Sequence, residues 1–98
     1  MTIRLREVCA AIEEWAPAGW AYEWDHSGLS IGDPDASVKR VLVCLTVTPA
    51  AARAAIQAKA DLIVSHHPLL WEPFKVLRLD DSHTCLCLDL ARRKIACY

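Results

Sequence analysis

The stretch that decides the fold runs Val41-Leu42-Val43-Cys44-Leu45-Thr46-Val47, then Thr48-Pro49 and an alanine-rich segment over 50–60, then Asp61-Leu62-Ile63-Val64-Ser65-His66-His67-Pro68. The first run is almost continuously apolar and rich in β-branched types, the pattern of a strand buried on both faces. Thr48 followed by Pro49 is an N-cap with proline at the first helical position, and the alanines that follow are strong helix formers. Residues 61–65 read as a second short buried strand. Strand, helix and strand at this spacing form a βαβ unit, so the two strands are parallel.

Working outward, residues 84–94 fit two patterns. Leu86, Leu88 and Leu90 alternate like a strand, while Leu86/Leu90 and Cys87/Ala91 lie at helical spacing. The Ala91-Arg92-Arg93-Lys94 ending suits a helix C-terminus and decides for helix. Ile95-Ala96-Cys97-Tyr98 then reads as a third strand. Towards the N-terminus, Leu5, Val8, Cys9, Ile12, Trp15 and Ala16 share one helical face, with Thr2 as the expected N-cap and Pro17 as the stop. Between this helix and the first strand lies a long loop over 17–38, punctuated by Gly19, Gly28, Gly32 and an Asp33-Pro34-Asp35 turn. It carries Trp20, Tyr22 and Trp24, too much aromatic surface for a solvated linker. The fold class is therefore α/β: an N-terminal helix, an aromatic-bearing loop, then a βαβαβ unit of parallel strands. Residues 1–98 make a single α/β domain or a fragment of one, because the chain stops inside the third strand. Apolar surface is expected to lie open near Ile95–Tyr98.

Composition narrows the function. The chain has 98 residues, 54% of them hydrophobic and 23% charged, so a packed core is expected and disorder is not. A net charge of −1 supplies no basic face for nucleic acid and no polybasic membrane signal. No run of 18 apolar residues is present to span a bilayer. The five cysteines are odd in number and match no small disulfide scaffold, and no secretory leader is recognisable. The expectation is a cytoplasmic protein with free thiols.

In open parallel sheets, ligands bind outside the carboxyl ends of the strands. Here the first strand ends in Thr46-Val47-Thr48 and the second in Ser65-His66-His67-Pro68, on one edge of the sheet. Two adjacent histidines leaving a buried strand are hard to explain as core. Extended geometry would point them to opposite sides, which favours two neighbouring ions, one per histidine, over a single shared ion; the alternative is an exposed polar turn. Asp25 is the best further candidate to support such a site, or else a capping carboxylate. Glu72 and His83 read as solvated loop residues. A rival soft-ligand set is His83-x-Cys85-x-Cys87, but its spacing is tighter than the usual zinc knuckle and the segment is otherwise helical and apolar, so it reads as buried structural cysteine ahead of a zinc site. Ser65 beside His66 is poorly placed to exchange a proton with it.

The string Trp24-Asp25-x-x-Gly28-Leu29, then Gly32-Asp33-Pro34, then a buried strand, then Asp61-Leu62-Ile63-Val64-Ser65-His66-His67-Pro68 resembles the dinuclear-metal-centre hexameric protein family. Its members often carry the label GTP cyclohydrolase I type 2. The resemblance, to the N-terminal portion of that family, implies an α/β fold that is part of something larger, and a pair of divalent metal ions (Zn, Mn or Fe not being distinguished). His66 and His67 would each ligate one ion. The resemblance also implies a homohexamer and a dinuclear metal hydrolase acting on a small-molecule substrate that the sequence does not identify. The family's other ligands, an aspartate after the third strand and a later histidine and glutamate, are absent from these residues. Thr46 departs from the aspartate often found there, and His26 and Ser27 depart from an asparagine and an apolar residue. The competing expectation is a non-catalytic protein-interaction or metal-binding module.

Overall fold

The computed structural model describes residues 2–17, 27–70 and 74–98. Within them the order is α1 (Leu5–Trp15), β1 (Val41–Cys44), α2 (Pro49–Gln57), β2 (Leu62–Ser65), α3 (Ser82–Arg92) and β3 (Ala96–Cys97). The three strands form a parallel sheet in the order β1-β2-β3, with Val41 opposite Leu62 and Leu62 opposite Ala96. This is the expected α/β unit, and residues 82–92 are helical as the charged ending indicated.

Local chemistry explains the element ends. The Thr48 hydroxyl accepts from the Ala51 N–H at 3.1 Å, capping α2 just before Pro49. Asp81 caps α3 by accepting from the His83 and Thr84 amides, and these bonds hold its carboxyl below the usual range. The N-cap of α1 is Arg4 and not Thr2: Ile3 is engaged instead by the Val38 N–H, and the Glu7 carboxylate accepts from the Arg4 amide.

Strand alternation divides the core. Leu62 faces one side with Leu5, Val38 and Ala96, where α1 packs. Ile63 faces the other with Ala52 and Ala55 of α2 and Cys87 and Leu90 of α3. Two crossovers of the same hand, advancing in one direction across a parallel sheet, place both connecting helices on one face. The result is three layers, with β2 central.

Three expectations about burial are corrected. β1 is an edge strand whose Val41 and Val43 are exposed, as is Leu45 just beyond it, so it is not covered on both faces. The reason is reach: α1 covers β2 and β3 and leaves the same side of β1 open. Trp15, on the apolar stripe of α1, is 87% exposed for the same reason. Conversely, Ile95, Ala96 and Cys97 are buried. Ser30 and Ile31 close over Cys97 through backbone bonds, so the open apolar surface among the described residues lies on β1 and over 74–79 instead.

Candidate metal centre

The His66 and His67 amides donate to Cys44 O and Leu45 O at 3.2 and 2.9 Å, extending the β1–β2 ladder past its paired ends. The Ser65 hydroxyl donates to His67 O at 2.7 Å, and the Ser65 N–H donates to Tyr98 O at 2.9 Å. Both histidines are thus held by backbone bonds at the carboxyl end of the central strand. Ser65 is spent on that turn, not on His66.

The side chains do not diverge. The two imidazole centroids lie 5.1 Å apart, edge to face at 73°. Strict strand alternation ends at Ser65, and the turn that follows brings the rings together. His66 lines a cleft of about 370 Å³ with Ile12, Trp15, Val43, Val64 and Tyr98. This is the open side of β1 that α1 does not reach, so the exposed Val43 and Trp15 are its walls. Burial, then the Glu13 carboxylate, pushes the Tyr98 phenol up, and burial pushes the Cys44 thiol up. The walls are otherwise largely apolar.

On the other side of the pair, Thr46 Oγ1 lies 2.9 Å from His67 Nδ1. Sequence reasoning placed both strand ends on this edge but missed the contact. The signal was present: parallel pairing of Cys44 with Ser65, carried two residues further, sets Thr46 beside His67.

Two neighbouring imidazoles suit borderline divalent ions, but among the described residues no group of three or more His, Cys, Asp or Glu gathers to hold one. A typical catalytic ion takes about three protein ligands, so among the described residues His66 and His67 would make only part of such a set. Asp25, Glu72 and the aromatic residues Trp20, Tyr22 and Trp24 lie outside the described residues. The rival set does not converge. His83 is not a loop residue but opens α3, exposed and 6.0 Å from the Phe74 ring, whereas Cys87 one turn later is buried. Cys85, between them, points about 160° away around the helix. All five cysteines are free thiols.

Among the described residues, no helix is long and apolar enough to cross a membrane. A curated protein of Halalkalibacterium halodurans, "GTP cyclohydrolase 1 type 2 homolog", is 36% identical over 76 residues, which are 78% of this chain and 20% of that protein. "NIF3-like protein 1" of Drosophila melanogaster is 32% identical over 97 residues, 90% of this chain and 32% of that protein. The crystal structure of a Bacillus cereus protein related to NIF3 superposes with a TM-score of 0.92 at 32% identity, covering 98% of this chain and 26% of that one. The chain therefore spans about a fifth to a third of the length of these relatives. The family model described as Duf34/NIF3 (NGG1p interacting factor 3) matches residues 3–98, and the chain belongs to that family.

Proposed function

We propose that His66 and His67 each supply one imidazole to one ion of a divalent metal pair, in a protein whose remaining ligands come from sequence beyond these residues. The observation that carries this reading is the proximity of two backbone-clamped imidazoles, centroids 5.1 Å apart, at the carboxyl end of the central strand, with His66 lining a cleft. Bound there, two close divalent ions would activate water and polarise a phosphoryl or ring-carbon centre. This chain's own part is to fix the two donors and to line the substrate's approach with apolar walls. The whole protein is then a metal-dependent hydrolase, working as a homohexamer. The relatives' printed label points to opening of a purine ring.

Calorimetric titration with Zn²⁺ or Mn²⁺ tests the site. His66→Ala and His67→Ala should each weaken binding, and His83→Ala, Cys85→Ser and Cys87→Ser should not. Tight binding that survives loss of both His66 and His67 would place the chemistry elsewhere. A second reading, a non-catalytic interaction or metal-binding module, draws on the exposed Val41, Val43 and Leu45. Two ions per subunit with hydrolytic turnover support the enzyme; association without tight metal supports the module.

A further inference from the structure

We infer that Thr46 is the positioning residue of His67, and that His67 ligates through Nε2. The inference rests on the metal reading above. A neutral imidazole has one N–H and one lone pair, and ligation consumes the lone pair. Nδ1 of His67 already faces the Thr46 hydroxyl at 2.9 Å, a normal hydrogen-bond distance. An ion on Nδ1 would have to displace that hydroxyl. An ion on Nε2 leaves the contact intact, with Nδ1–H donating and Oγ1 accepting. A hydroxyl pairs with either tautomer of the free ring, but once an ion takes Nε2 the proton must sit on Nδ1, and the hydroxyl, now the acceptor, holds the ring in that orientation, the support that carbonyls and carboxylates give behind other metal-bound histidines.

The hydroxyl is itself well placed for this. Leu45 O, one residue before Thr46, accepts from the His67 amide, and Thr46 O accepts from the Thr48 amide at 3.0 Å. Thr48 is in turn fixed as the cap of α2. Thr46 therefore sits in a short turn tied to His67 on one side and to a helix start on the other. His66, whose ring borders the cleft, serves as an internal control.

Long-range ¹H–¹⁵N correlation spectra of the full chain test this directly. Without metal the contact is compatible with either His67 tautomer, so the metal-free spectra of the wild type, Thr46→Ser and Thr46→Val serve as the reference, with His66 unchanged among them. With Zn²⁺ added, Nε2 should be the coordinated nitrogen. Zinc affinity should fall about 10- to 100-fold in Thr46→Val and recover in Thr46→Ser. Coordination through Nδ1, or a Thr46→Val variant matching wild type in zinc affinity, would overturn the inference while leaving the metal site standing. If zinc perturbs neither histidine, the metal reading falls, and Nε2 ligation falls with it.

Discussion

Gly32→Ala should be more damaging than Gly28→Ala in the loop before β1. Gly32 has φ +138°, a conformation L side chains rarely adopt, and it lies against the α1 side of the sheet. A Cβ there would meet Ala96 Cβ at 2.7 Å, Leu5 Cδ2 at 3.0 Å and Ala96 Cα at 3.4 Å. Leu5 and Ala96 are both buried, so neither has room to give. The backbone strain is worth about 1–3 kcal/mol and the overpacking about 1–3 kcal/mol more. Gly28→Ala separates the two contributions. Its φ is +116° but its Cβ would meet nothing within 4 Å, so it carries only the strain. Thermal unfolding should place Gly32→Ala at least about 4 °C below Gly28→Ala, since 1 kcal/mol shifts the midpoint of a domain this size by about 4–8 °C. Adding Ala96→Gly removes the nearest contact and should couple favourably with Gly32→Ala, by about 0.5–3 kcal/mol in a double-mutant cycle. Equal midpoints for the two glycine variants, or a cycle with no coupling, would refute the packing of α1 on β3 as described.

Thr48→Ala removes the cap of α2 and should cost about 1 kcal/mol by urea titration. Ile63→Ala, in the layer beneath α2 and α3, should cost about 2–5 kcal/mol, whereas Val43→Thr, on the open side of β1, should stay within about 0.5 kcal/mol of wild type. A costly Val43→Thr would mean that β1 is covered after all. Burial, then the Cys87 and Cys44 thiols, pushes the Cys97 thiol up from 9.0 to about 12. The folded state thus prefers the protonated thiol. That contribution is complete below pH 9 and is lost as pH rises toward 12, at up to about 1.4 kcal/mol per pH unit. Cys97→Ala should flatten this alkaline fall in stability; an unchanged slope would show that Cys97 is not its source.

Much of the architecture was legible because its signals are local. Thr48-Pro49 marks a helix start wherever it packs, and the β-branched runs can hardly be anything but strands. What periodicity does not carry is what lies opposite. Val41, Val43 and Leu45 look the same whether a helix covers them or the sheet ends there, and only the reach of α1 settled it. Trp15 failed for the same reason. Hence the walls of the cleft were read as core. The histidines were placed on the correct strand end, but alternation was extended two residues beyond the last paired residue, where a turn replaces it. The Thr46 contact was hidden for a related reason: it depends on register between strands, which no single segment encodes.

The central position of β2 has a consequence for timescale. Leu62 and Ile63 are fully buried on opposite faces and are bridged on both edges, so exposing the amides of this strand requires dismantling both core layers together. Hydrogen exchange there should proceed only through near-global opening, while the fringe over 74–79 exchanges by local fluctuation. The histidine backbone is anchored to this slowest-opening segment, so whatever settles on the imidazoles meets donors whose main chain is already ordered. Little of its binding free energy is then spent on immobilising the polypeptide, and its residence is governed by the contacts themselves rather than by breathing of the fold.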